Sequence, residues 1–315
     1  MKNTIIFMLS VVAFLGAKTP LSAQSDNVGL MTLATYVDPV VEEKTPGATS
    51  VLETKLSQIV SSNGMSNGFS RFIITANVTV ISKDVLGTAP ANYAYTLDVT
   101  FYIGDGLDGN LFASYPMTLK GVGNNETKAL ISAFRTIRTN DKNLQSFISK
   151  AKEQIVNYYT TRCDLVIKQA RMMENQNQFD EAIYSLITIP EASSCYEKSL
   201  DVVNEIYNKK IERECKTKLQ EARNYWNANP TVEGANTVAA ILSEIDPRAS
   251  CYKEVSSFAN TVGKRVLELD GREWKFIVDK EIGLERDRIK AIRDVGVAWG
   301  QGQPQNVHYN VRGWW

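Results

Sequence analysis

Cys163-Asp164-Leu165-Val166-Ile167-Lys168-Gln169-Ala170-Arg171 and Cys215-Lys216-Thr217-Lys218-Leu219-Gln220-Glu221-Ala222-Arg223 stand fifty-two residues apart and share one pattern. Each has a cysteine, an apolar residue four positions on, and an Ala-Arg pair. The likeness resumes downstream. Leu186, Ile189, Ser194, Cys195 and Tyr196 in the first copy match Leu242, Ile245, Ser250, Cys251 and Tyr252 in the second, now fifty-six residues apart. One loop of the second unit is therefore expected to be four residues longer. Self-similarity of this kind marks structural units that bury their apolar faces on one another.

The punctuation between these residues sets the elements. Ala151 to about Gln176 and Glu191 to Asn229 contain no Gly or Pro and read as long helices. Phe179 to Ile189, closed by Pro190, and Val232 to Ile245, closed by Asp246-Pro247, read as short ones, and Cys251 opens another long helix. Long, short, long, short, long predicts an all-α antiparallel helical-hairpin array. Its buried contacts are expected at Ile167, Ala170, Leu186, Ile189 and their counterparts. The array is similar to tetratricopeptide arrays in being built from helical hairpins. Its unit exceeds the roughly 34 residues of that family and lacks most of its consensus, so the resemblance implies architecture alone.

Four cysteines allow three pairings, and helix geometry ranks them. Cys195 and Cys215 fall in one helical stretch, where twenty residues at about 1.5 Å each span roughly 30 Å. A disulfide needs Cα atoms within about 7 Å. That pairing, with its complement Cys163–Cys251, is excluded unless the helix folds back. Between Cys163 and Cys195 the chain climbs one helix and descends a short one, which returns it to its starting level, and Cys215 and Cys251 obey the same arithmetic. Bridges 163–195 and 215–251 are predicted. Zinc would want closely spaced ligands and a redox site a C-x-x-C, and neither spacing is present. The alternative is free buried thiols, which holds if the chain never leaves a reducing compartment.

The first half reads differently. Val28 to Tyr36 is a short apolar run ended by Asp38-Pro39, and Leu52, Leu56, Ile59 and Val60 recur at helical spacing. Three runs then alternate with period two. Phe72, Ile74, Ala76, Val78 and Val80 line one face of the first; Tyr93, Tyr95, Leu97, Val99, Phe101 and Ile103 line the second; Leu111, Ala113, Tyr115, Met117 and Leu119 line the third. Alternation predicts an antiparallel sheet with one buried face. The helix near Glu126 to Ile137, with Ala129, Leu130, Ala133, Phe134 and Ile137 in one stripe, is the expected cover. A further helix begins near Asp141 and runs into the repeats. The fold class is thus α+β: an N-terminal antiparallel sheet packed by two helices, then the helical array.

Gly104, Gly106 and Gly109 spell G-x-G-x-x-G, the form of a dinucleotide fingerprint. That fingerprint works only where a helix follows, so that its N-terminus faces the pyrophosphate. Here the alternating run Leu111 to Leu119 follows, so the glycines are read as a hairpin loop. Asp105 and Asp108 offer oxygens to calcium but fall short of the 6 to 8 such an ion takes. Gly121-Val122-Gly123 leads into a helix opening at Asn124 or Asn125. Its free N–H groups either hold an anion or are satisfied by an Asn cap with Glu126 beside it.

A strand, a helix, three antiparallel strands and a glycine-linked helix, with Leu119-Lys120-Gly121-Val122-Gly123 before Ala129, resemble the small α/β domains of bacterial envelope-assembly proteins. These include the curli secretion channel subunit, outer-membrane activators of penicillin-binding proteins and a flagellar basal-body accessory protein. The resemblance covers about 120 residues and carries over no functional residue. Unlike the channel and activator families, this sequence has no lipobox cysteine.

Met1 to Ala23 has the pattern of an export signal, with Lys2, the apolar stretch Ile5 to Leu15, and Leu21-Ser22-Ala23 before Gln24. No later run approaches the roughly 18 apolar residues a spanning helix needs. A periplasmic or extracellular location in a Gram-negative cell is expected, the alternative being an uncleaved N-terminal anchor. The predicted parts are a signal peptide (1–23), an α/β domain (24–150), a helical repeat domain (151–298) and an extended tail (299–315). Lys plus Arg and Asp plus Glu balance at 35 each, so no basic field exists to neutralise nucleic-acid phosphates. Arg272 to Asp294 mixes charge with an apolar stripe and reads as a solvated helix or a helix–helix contact.

The chain ends in Tyr309-Asn310-Val311-Arg312-Gly313-Trp314-Trp315. Exposed aromatics cost free energy, so Tyr309, Val311, Trp314 and Trp315 are expected to dock as an extended strand, on this chain's own sheet edge or on a partner's. The alternative is an unstructured tail. His308, the single histidine, has no cysteine or serine motif beside it. No catalytic residue, metal or cofactor is expected. The sequence points to a non-enzymatic envelope protein acting as an adaptor toward other envelope proteins or itself. The alternatives are an oligomeric ring or secretion-channel accessory subunit and, behind it, a hydrolase of envelope polymers.

Overall fold

Asp38 accepts a hydrogen bond from the Val40 N–H at 2.9 Å, and Pro39 supplies a preset φ; together they start the first helix of the computed structural model. The structure describes residues 31–65, 70–271, 309–311 and 313–315, and positions 274, 292, 294, 295 and 298. The leader with its cleavage site, most of the charged run 272–294 and His308 lie outside the described residues.

The chain is α+β. It begins with β1 (Ala34–Thr35), α1 (Pro39–Lys44) and α2 (Thr49–Ser62), followed by β2 (Phe72–Leu86), β3 (Asn92–Asp105) and β4 (Leu111–Gly123). Strand order is β1-β2-β3-β4. The three long strands are antiparallel, with Phe72 opposite Asp105 and Gly104 opposite Leu111. β1 pairs parallel to β2 over Ala34 and Thr35, so the apolar run before Asp38 adds a short parallel edge.

The alternating residues face as their period requires. Phe72, Ile74, Ala76 and Val78 of β2 and Leu97, Val99, Phe101 and Ile103 of β3 are buried in one cluster. Val80 and Leu111, expected on that face, are exposed. Val80 adjoins the β-bulge between Val80 and Ser82. Helices α3 (Glu126–Arg135), through Ala129, Leu130, Ala133 and Phe134, and α4 (Lys142–Thr161), through Leu144, Phe147 and Ile148, pack against β3 and β4, and α2 joins the same core through Leu52, Leu56, Ile59 and Val60 beside β1. A side chain on Gly121 would overlap the Ala129 carbonyl and the Ala133 amide nitrogen, so β4 and α3 touch backbone to backbone there.

The array continues with α5 (Cys163–Asn175), α6 (Phe179–Ile187), α7 (Tyr196–Ala228), α8 (Val232–Ser243) and α9 (Tyr252–Asp270). The first long helix is interrupted at Arg162, where α4 gives way to α5. Repeat partners share their environment: Ala170 and Ala222, Leu186 and Leu242, and Ile189 and Ile245 are all buried. Three of the four extra residues of the second unit lengthen its short helix, and the loop before that helix is no longer than in the first unit. α8 has 12 residues and α6 has 9, because Thr231 starts α8 early by accepting from the Gly234 N–H.

Candidate functional site: a cleft and a tail cradle

One end of the sheet holds a buried cluster of charged groups. Arg71 enters β2 there and is 5% exposed. Its Nε donates to Asp105 Oδ2 at 2.8 Å, and its Nη2 reaches Asp105 Oδ2 and Asp108 Oδ2, both at 2.6 Å. Asp105 is fully buried, and its Oδ1 accepts the Leu107 and Asp108 N–H groups at 3.0 and 3.1 Å. Two carboxylates considered for calcium are thus turned on an arginine instead. Burial works against the guanidinium charge, but Tyr159, Asp105 and Asp108 hold it firmly on.

Tyr159 of α4 stands beside them, its ring 5.9 Å from the Arg71 guanidinium carbon. Its hydroxyl is buried and has no hydrogen-bond partner. Burial pushes that phenol far above its ordinary range. Burial also raises the Asp108 carboxyl; Asp105 adds to the rise and Arg71 opposes it. From this cluster a cleft of about 270 Å³ opens between the sheet and the array, walled by Tyr158 and Tyr159 of α4, Val166, Met172 and Met173 of α5, and several amides. Nothing in the local pattern marked Arg71, Tyr158 or Tyr159. A signal did exist, in that the two aspartates of the glycine loop lie opposite the arginine that opens β2.

The G-x-G-x-x-G stretch is a hairpin between β3 and β4, and its glycines receive the C-terminus. A Cβ on Gly104 would lie 2.5 Å from Trp314 Cη2 and Cζ2; one on Gly106 would overlap the Tyr309 ring; one on Gly109, at φ +76°, would lie 2.8 Å from Asn310 Nδ2. The Asn310 N–H donates to the Gly106 carbonyl at 2.6 Å, the Trp314 indole N–H to the Gly109 carbonyl at 2.8 Å, and the Tyr309 hydroxyl to the Ser70 carbonyl at 3.2 Å.

Val311 and Trp314 join Ala34, Ile73 and Tyr102 in a second apolar cluster. Ile73 and Tyr102 alternate with the residues of the main core, so the tail covers the opposite face of the sheet. The extended strand expected on a sheet edge is therefore corrected. These residues add no strand to the sheet; Trp314 and Val311 are instead buried against its glycine-floored face, where an aromatic ring gains from leaving water. Trp315 stays 47% exposed, its ring 5.6 Å from that of Tyr102.

At the second glycine pair the structure has the Asn cap with Glu126 beside it. Asn125 Oδ1 accepts the Lys128 N–H at 2.8 Å, and Glu126 takes Lys83 at 2.6 Å and the Tyr95 hydroxyl at 2.9 Å.

Cys163 is bonded to Cys195, with Cα atoms 5.4 Å apart, and Cys215 to Cys251, at 6.3 Å. Each bridge joins consecutive long helices across a short one. Residues 195 and 215 are held apart by the unbroken α7, which has 33 residues. Ion pairs reinforce the stacking, with Lys198 to Asp164 at 2.6 Å between α7 and α5 and Arg223 to Glu254 at 3.3 Å between α7 and α9. The disulfides fit an exported chain. Among the described residues no helix is long and apolar enough to cross a membrane.

No family model matches the chain, and no curated protein matches it. Among solved structures it is similar to a crystal structure of a minor lipoprotein from Acinetobacter baumannii. The identity is 20% and the TM-score 0.20, over 42% of this chain and 90% of that one.

Proposed function

We propose that the chain is an exported, non-enzymatic envelope protein that binds other envelope proteins as an adaptor, with the disulfide-pinned array as its rigid arm. The observation that carries this reading is the covalent fixing of α5 to α7 and of α7 to α9. A surface whose helices cannot splay loses little freedom when a partner docks, which favours binding. The export pattern at Met1 to Ala23 supports the compartment. The test is affinity capture from an envelope extract with the oxidised chain and with a Cys215→Ser/Cys251→Ser variant. One identified partner, retained by the first and weakened with the second, supports the adaptor. A partner bound equally by both removes the array from the account.

A ring or channel-accessory subunit is the second reading, favoured by the outer edge of β2. Strand β1 covers only Ile73 and Ile74, so the edge beyond meets no other strand among the described residues, and Ile81 and Val85 are exposed along it. Light scattering separates the two readings. A discrete multi-subunit peak supports the ring and a monomer the adaptor.

A further inference from the structure

Past Tyr102, the face of the sheet on which the tail sits lies open among the described residues. Cross-strand pairing lays two rows on it from β2 through β3 to β4: Thr79 beside Asp98 beside Thr118, and Asn77 beside Thr100 beside Pro116. Thr79, Pro116 and Thr118 are exposed and Asn77, Asp98 and Thr100 half-buried, while α3 and α4 pack on the other face. The three threonine hydroxyls and the Asp98 carboxylate have no hydrogen-bond or ion-pair partner among the described residues. Asn77 Oδ1 accepts from Lys44 Nζ at 3.2 Å, which leaves its amide hydrogens free. Threonine is stiff at χ1, so its hydroxyls stand in fixed positions on these paired strands.

An aromatic ring stands at the end of the rows. Trp315 is 47% exposed, and its ring lies 5.6 Å from that of Tyr102. It continues the seat of Val311 and Trp314 on the same face. Thr100 and Asp98 follow Tyr102 along β3 at steps of about 7 Å, and the three strands span about 10 Å across. The chemistry of the face selects its ligand. A protein interface buries an apolar core and a lipid surface takes up apolar side chains, and Pro116 alone in the two rows is of that kind. Charge is nearly cancelled as well, since Asp98 is the one ionisable group in the rows and Lys120 lies one row on, opposite Thr96. A neutral molecule fits, with hydroxyls that both donate and accept and a C–H face to lie on an indole. A sugar ring has both.

We infer that this face binds a neutral oligosaccharide: one hexopyranose ring lies on the Trp315 indole, and the next exchange hydrogen bonds with Thr100, Asp98 and Thr118. The inference goes beyond the adaptor reading and gives the chain a hold on glycan as well as on protein. An N-acetylated wall-type glycan and a plain glucan share this chemistry, and the test separates them.

The full oxidised chain is titrated calorimetrically with chitotetraose, cellotetraose and maltotetraose. Saturable binding of at least one is expected. Chitotetraose as the tightest ligand identifies an N-acetylated glycan as the source, and either glucan as the tightest identifies a plain polysaccharide. Trp315→Ala, which leaves Trp314 in its seat, is expected to weaken binding about three- to tenfold. Thr100→Val and Thr118→Val keep the β-branched shape and remove one hydroxyl, and each is expected to cost about two- to tenfold. Unchanged melting temperatures show that these losses are not losses of fold. Failure of all three sugars to saturate, or unchanged affinity in Trp315→Ala and both threonine variants, overturns the inference. Protein capture that is lost with Trp315→Ala while no sugar binds overturns it too and gives the face to a protein partner. Capture that is unaffected alongside such a failure leaves the adaptor reading standing without this face.

Discussion

Replacing Gly106 by Ala tests whether the glycine loop exists to seat the C-terminus. The new Cβ would overlap Tyr309 Cδ1 and lie 2.9 Å from Cγ and 3.1 Å from Cβ of the same residue. The ring cannot retreat without leaving the Ser70 carbonyl and its edge-on contact with Tyr36 at 5.2 Å. Overpacking of this kind costs about 1–3 kcal/mol. Its ceiling is the docking free energy of the tail, because at that point the tail leaves. At about 2.1 cal/mol/K of unfolding entropy per residue, a loss of about 2 kcal/mol lowers the melting temperature by roughly 3 °C in a chain of this size. Gly87→Ala, where a Cβ meets nothing within 4 Å, is the control.

The decisive assay is a cycle of four proteins: the full chain, Gly106→Ala, a chain ending at position 308, and both changes together. Coupled residues depart from additivity, and here the substitution should cost nothing once the tail is gone. Amide exchange at Asn310, whose N–H is bonded to Gly106, should speed up in the full-length variant. An equal loss from Gly106→Ala with and without the tail would refute the reasoning, since the glycine would then serve the hairpin alone.

Further outcomes follow from the packing. Cys215→Ser with Cys251→Ser opens a loop of sequence separation 36 and should cost about 4 kcal/mol in the chain-entropy treatment, read as a lowered urea midpoint under non-reducing conditions. Arg71→Leu leaves the fully buried Asp105 without its counter-ion and should cost about 3–5 kcal/mol, whereas Arg71→Leu with Asp105→Asn and Asp108→Asn should recover part of that loss in the same melts. Asp246 sits between Arg248 at 2.6 Å and the Tyr207 hydroxyl at 3.1 Å. Its burial alone would raise the carboxyl, but these partners hold it below the usual aspartate value of 3.8. A lowered folded-state value means stability that is present above pH 4 and lost as pH falls through the folded value, so acid melting of Asp246→Asn should show a shallower loss there than the parent chain.

Much of the array was legible because its information is local. Gly- and Pro-free runs, the closing Pro190 and Asp246-Pro247, and the recurring Cys and Ala-Arg positions fix helix lengths, and helix lengths alone decide which cysteines return to one level. The period-two runs of the sheet are local in the same sense. The four-residue insertion was misplaced because Thr231, the residue that starts α8 early, looks like any loop threonine until its hydroxyl meets the Gly234 N–H at 3.0 Å.

The sequence by itself determined the α+β order of elements, the sheet face that must be buried and the pairing the helices allow, since each follows from a period or a length within a few dozen residues. Only the tertiary structure decided what the glycine loop is for and which side chains meet in the cleft. The tail reaches Ser70 across 239 residues and Gly109 across 205, and Arg71 finds its aspartates across 34 and 37. Contacts between residues that far apart leave no period in the chain. They exist because burying Trp314 and neutralising a desolvated arginine are favourable only once the sheet has brought those atoms to one end.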